Sequence, residues 1–200
     1  TVMALAPSIL VMTTSFIRIV IVLSFLRTAM GAQQTPPNQV LMALALFLTF
    51  FIMSPTFEAA WDQGVRPYID GQIDEKEAFK KSLKPLHNFM LKFVRDEDLQ
   101  LFMDVANTQP IATRDEVPIK VLIPAFIISE LRRAFEIGFL VFIPFLVIDM
   151  VVASVLMSMG MMMLPPIIIA LPFKIIFFVL VDGWFLIVGS LVQSFGALGT

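Results

Sequence analysis

The 200-residue chain contains no cysteine, one histidine (His87), one tyrosine and nine glycines. Without cysteine there is no disulfide, no thiol nucleophile and no thiolate metal site, and the redox compartment leaves no mark. There is no histidine cluster, no glycine-rich phosphate loop, and no serine with a base and an orienting group nearby. No catalytic, cofactor-binding or metal-binding arrangement emerges, so an enzyme is not expected. A formal net charge of −2, with mixed signs in the polar part, gives no field that would steer a nucleic acid. No charged leader precedes the first apolar run, which begins directly after Thr1, as expected of a processed or shortened form.

What the chain has in quantity is apolar surface. Hydrophobic residues make up 58% of it, phenylalanine alone supplies 20, and the mean hydropathy is +0.88. That composition is too apolar for an ordinary soluble domain and predicts a membrane-embedded class. Charge is concentrated: 21 of the 30 Lys, Arg, Asp and Glu residues lie between Glu58 and Lys120. The remainder are Arg18, Arg27, Glu130, Arg132, Arg133, Glu136, Asp149, Lys174 and Asp182. The contrast divides the chain into an apolar hairpin (1–57), a polar helical module (58–118) and an apolar C-terminal part (119–200).

Val2–Leu26 is one apolar run of about bilayer-spanning length, interrupted by Pro7, by the hydroxyls of Thr13, Thr14 and Ser15, and by Arg18. The linker Gly31–Asn38 carries Pro36-Pro37 and cannot continue a helix. A second apolar run, Val40–Phe57, is closed by Ser54-Pro55. Arg27 is the charge nearest the tip of this hairpin, which places the tip in the cytoplasm and the polar module outside. In the module, Asp74 and Glu77 have capping-box spacing, and Phe79, Leu83, Leu86, Met90 and Phe93 recur at helical period. Asp96 is a candidate cap for a second short helix, and His87 reads as a surface or half-buried residue.

Beyond Ile119 the apolar segments are interrupted. Val121–Ser129 stops at a charged stretch, Ile137–Met159 holds Pro144 and Asp149, Met161–Val181 holds Pro165, Pro166, Pro172 and Lys174, and Trp184–Leu198 is too short to cross alone. Lipid tolerates broken backbone and buried charge only where protein or water surrounds them. The fold predicted is therefore all-α and membrane-associated: proline-broken helical hairpins, packed on protein neighbours or lining an aqueous path, with a small polar helical insertion.

Glu130, Arg132, Arg133 and Glu136 lie three or four residues apart, where helical side chains can neutralise one another. They form either a self-satisfied charged turn between two short helices or an inter-subunit ionic layer. Asp149 and Lys174 flank the break near Gly160 at similar distances, so they are expected to pair, with a proton relay as the sharper alternative. The break itself, Val155–Pro166, packs five methionines into the seven residues from Met157 to Met163, around Gly160 and ahead of Pro165-Pro166. Glycine and proline end a helix there, and methionine is the side chain best able to fill an irregular gap and change shape. Composition leaves packing and function about level for this cluster.

Several strings are specific in combination: Pro124–Leu131, Phe139–Asp149, Met159–Pro166, Leu171–Lys174, Val181–Trp184, Thr35–Val40 and Phe50–Pro55. Together they resemble the FliP/SctR family of type III export-gate subunits along essentially the whole chain, and more closely its flagellar branch. The start differs, since family precursors carry a cleavable signal sequence. The resemblance implies a pentamer that joins two smaller partners, FliQ and FliR, in a helical pore. That pore would sit in the bacterial inner membrane at the flagellar basal body, among other export-apparatus and ring proteins, and pass unfolded flagellar proteins. It also implies a deformable pore gasket made by Met161, Met162 and Met163 with Met159 nearby. The alternatives are the equivalent subunit of a virulence injectisome and an ion-coupled transporter using Asp149 and Lys174.

Overall fold

A computed structural model describes residues 11–32, 35–107, 113–161 and 164–196. Those residues form helices and turns, with no strand among them. The helices are α1 (Phe16–Ala29), α2 (Asn38–Ala60), α3 (Arg66–Ile69), α4 (Glu75–Phe93), α5 (Asp96–Val105), α6 (Ile119–Ser158), α7 (Pro166–Leu180) and α8 (Gly183–Gln193). A π-helical turn, Trp61–Val65, joins α2 to α3 without interruption. Asn38–Ile69 and Ile119–Ser158 are both long and apolar enough to cross a membrane, and α7 with α8, bent by 62°, makes a third candidate.

Two expected breaks are not breaks. The helix from Asn38 passes through Pro55. A proline removes one helical hydrogen bond but cannot stop a run whose other residues favour helix. Likewise α6 is a single helix of 40 residues that passes through Glu130–Glu136, so the reading as a charged turn between two short helices is wrong. Glu, Leu, Arg and Ala are among the strongest helix formers, so apolar character stops there and the helix does not. At 1.5 Å per residue α6 is about 60 Å long, twice the thickness of a bilayer core. The interruption expected at the hydroxyls is present: Thr13–Ser15 form a turn ahead of α1, where the Thr14 hydroxyl donates to the Val11 carbonyl (3.0 Å) and accepts from the Phe16 N–H (3.4 Å).

The backbone contacts divide the chain into two compact units. The first comprises residues 1–18 and 49–133. Its core is formed by Ile52, Met53, Met90, Leu91, Phe93, Leu99, Val121, Leu122, Ala125 and Phe126, all buried. Asp74 caps α4, its Oδ1 accepting from the Glu77 N–H at 2.8 Å. Asp96 does not cap α5; it stands in the first turn and meets Arg114 Nη1 at 3.0 Å. Arg114 also donates to the carbonyls of Leu91 and Val94, both at 3.1 Å, satisfying the end of α4. Phe79 is exposed, and Ala78 takes the buried place on that turn. Phe79 borders an open groove of about 480 Å³ that His87, Val117 and Ile119 also line. His87 is half-buried, with Nε2 2.8 Å from the Val117 carbonyl.

The second unit comprises residues 19–48 and 134–200. Leu26, Ala29, Met30, Phe145 and Phe178 are its buried centre. Phe145 meets the rings of Phe177 and Phe178 at 6.1 and 6.2 Å, and Trp184 stands edge-on to Phe178 at 5.4 Å. The outward sides of α7 and α8 expose Ile167, Ile168, Val179, Leu180 and Phe185, apolar surface that water alone would not favour.

In the first unit the π-helical turn approaches α4 closely enough to require Gly64. A Cβ there would lie 2.7 Å from the Ala78 carbonyl oxygen and would overlap the Ser82 hydroxyl. Gly64→Ala is expected to lower the thermal midpoint of the detergent-solubilised protein by several degrees. Gly189→Ala, in α8 with open space around it, should raise that midpoint or leave it unchanged. Equal effects from the two substitutions would contradict the close approach.

Candidate functional site

α6 ends at Ser158 and α7 begins at Pro166, and between them Met159–Met161 and Leu164-Pro165 are not helical. The Gly160 N–H bonds to the Met157 carbonyl (3.1 Å) and the Met161 N–H to the Leu156 carbonyl (3.0 Å). This paired pattern closes a helix when the residue between takes positive φ, and Gly160 has φ +73°. Pro165 then precedes the first turn of α7, where Pro166 needs no N–H partner. Met157, Met159 and Met161 are exposed, Met159 to 62%. Met162 and Met163 lie outside the described residues. An apolar groove of about 450 Å³ separates the arms behind the turn, lined by Val147, Val151, Leu156, Ile169 and Phe173.

Further along the arms, the structure brings Asp149 and Lys174 together. Lys174 Nζ donates to Asp149 Oδ2 at 2.6 Å and to the Ala29 carbonyl at 3.1 Å. Lys174 is buried, and its three donors suit a carboxylate and a helix-end carbonyl at once. The ammonium therefore satisfies both an acid 25 residues away and the last turn of α1, 145 residues away. Arg27, near the same end of α1, donates to the Pro36 carbonyl (3.4 Å) and to the Asn38 side chain.

Of the charges at 130–136, Glu130 has a partner on another helix. Glu130 is buried and binds Arg18, with Nε to Oε2 at 2.9 Å and Nη2 to Oε1 at 2.5 Å, a two-pronged contact. The Arg18 guanidinium also lies 5.6 Å from the centre of the Phe93 ring. Beside it the Ser129 hydroxyl accepts from the Arg95 N–H (3.0 Å) and lies 2.7 Å from Asp98 Oδ2. Arg133 is half-buried, while Arg132 and Glu136 are exposed on α6. Arg18 as the partner of Glu130 was not anticipated from sequence. The signal was present, since a lone arginine and a buried-segment glutamate of opposite sign each needed a partner, but 112 residues separate them.

These features define a class: a helical membrane protein whose span-length helices carry internally paired charges and whose hairpin turn is rich in exposed methionine. The FliP family model matches residues 1–191. The chain belongs to the FliP family. It is 62% identical to the flagellar biosynthetic protein FliP of Caulobacter vibrioides, over 98% of this chain and 73% of that protein. Identity to the Bacillus subtilis protein of the same name is 58%, over 98% and 88% of the two chains, and to that of Aquifex aeolicus 52%, over 98% and 82%. All of these relatives carry the flagellar name, which favours a flagellar reading over an injectisome or a transporter.

Removing one partner of the buried pair strands the other. Glu130→Gln or Arg18→Met should destabilise the folded protein by about 3–5 kcal/mol, whereas Arg18→Met with Glu130→Leu together should recover most of that loss. Denaturation of the purified protein measures this, and a double variant no better than the singles would contradict it.

Proposed function

We propose that this chain is the core pore-forming subunit of a bacterial flagellar type III protein export gate, passing unfolded flagellar proteins during assembly. The observation that carries the reading is its membership of the FliP family along nearly its whole length, with relatives named for flagellar biosynthesis. Its finer parts follow from what resemblance to that family implies. The subunit acts without catalysis, as a pentamer with FliQ and FliR and the neighbouring export-apparatus and ring proteins, in the inner membrane at the basal body. The segment 58–118 faces outward between the hairpins 1–57 and 119–200.

Within the gate, Met159, Met161, Met162 and Met163 act as a gasket. Unbranched thioether side chains can seal an empty channel and then yield to cargo of varied sequence. The loosely packed groove behind the turn supports this role by leaving the loop room to move. Asp149 and Lys174 hold the two arms, and Arg132, Arg133 and Glu136 belong to an ionic layer between subunits, with Glu130 anchoring α6 beside them.

Replacing Met161–Met163 by alanine should raise ion leakage through the closed gate several-fold while the complex still assembles. Unchanged leakage from a correctly sized particle would refute the gasket. For the arms, Asp149→Lys combined with Lys174→Asp should restore part of the assembly that either substitution alone abolishes; a combination as poor as the singles would remove the pairing from the mechanism.

A further inference from the structure

We infer that the turn between α6 and α7 is also a modification site: its exposed methionines take up oxygen from peroxide-class oxidants, and the resulting sulfoxides open the gate reversibly. The functional half of this inference rests on the gasket reading above. The chain has thirteen methionines, and among the described ones exposure varies widely. Met53, Met90 and Met30 are buried at 0%, 3% and 6% exposure, whereas Met157 and Met159 at the turn are exposed to 60% and 62%, and Met161 to 42%. Exposure is what an oxidant needs to reach sulfur.

Met12, Met42 and Met150 are also exposed, but Met42 and Met150, unlike Met157 in the last turn of α6, stand inside span-length helices whose outer faces are apolar. The turn differs in its backbone. Lipid does not accept non-helical peptide groups, and Met159, Gly160, Met161, Leu164 and Pro165 are not helical, so they must meet water or protein rather than acyl chains. Along an aqueous path, peroxide reaches it directly. The chain has no cysteine to react first, and thioether sulfur is the softest nucleophile it offers.

The chemistry is a two-electron oxygen transfer. A thioether lone pair attacks one peroxide oxygen, the S–O bond forms as the O–O bond breaks, and the departing oxygen leaves with both protons as water. Sulfur is oxidised and peroxide reduced. Each event turns an apolar, flexible side chain into a polar one, and a seal made of such groups would hydrate. Reductases specific for the two sulfoxide epimers, with a thiol as reductant, restore the thioether.

The test uses the chain in its assembled membrane complex, reconstituted in vesicles and titrated with hydrogen peroxide. Peptide mass spectrometry should find sulfoxide at Met157, Met159 and Met161 accumulating several-fold faster than at Met30, Met53 and Met90. Ion leakage should rise in step and fall again after treatment with both sulfoxide reductases and dithiothreitol. Equal oxidation of turn and buried methionines would overturn the inference. So would sulfoxide at the turn without leakage in a gate that alanine at Met161–Met163 does open, leaving the gasket intact. If neither oxidation nor alanine raises leakage, the gasket reading itself falls and takes this inference with it.

Discussion

Everything in this chain is constrained by the impossibility of leaving a charge alone in apolar surroundings. Most of its helices are so uniformly hydrophobic that burial alone distinguishes poorly between one packing register and the next. The buried ions supply the distinction. Arg18 meets Glu130 through both prongs of its guanidinium, and a slip of one helical turn would strand both groups. Lys174 meets Asp149 and the end of α1 with the same effect in the other unit. Neither contact need add much net stability, because desolvation offsets most of the attraction. Their value here is register.

Against those fixed points the methionine turn is built to be loose. At its start, Met159–Met161, the helix end is closed by two hydrogen bonds and a left-handed glycine, Met159 and Met161 are exposed, and the arms behind them border an open apolar groove. The contrast between a hairpin held by a short ion pair and the exposed Met159 and Met161 at its tip is what the proposed gasket requires. Branched aliphatic residues at those positions would resist deformation, since their rotamers are stiff.

The helical class, the break at Gly160 and the approach of Asp149 to Lys174 were legible because each depends on local chemistry: glycine and proline placement, the length of apolar runs, and two lone charges equidistant from a turn. The Asp74 cap was legible for the same reason. Less legible were Pro55 and the Glu130–Glu136 stretch, where loss of hydrophobicity resembled loss of helix although the residues favour helix. Asp96 looked like a cap because the sequence does not reveal that Arg114 competes for it. Phe79 looked like core because helical period identifies a face, and nothing local shows that the neighbouring groove stays open. The Arg18–Glu130 contact is the clearest loss. Two separate charges were visible, but their meeting is a property of tertiary structure.

That separation has a consequence for biogenesis. During synthesis at roughly 5–20 residues per second, Arg18 is made about 6–20 s before the glutamate that neutralises it. The Ala29 carbonyl waits longer still for Lys174, which follows it by 145 residues. In that interval the Arg18 guanidinium, still without the carboxylate that neutralises it, sits within an apolar segment already able to enter the translocation machinery. The nascent N-terminal region therefore depends on water, headgroups or an assisting protein to shelter a charge whose permanent partner has not yet been translated.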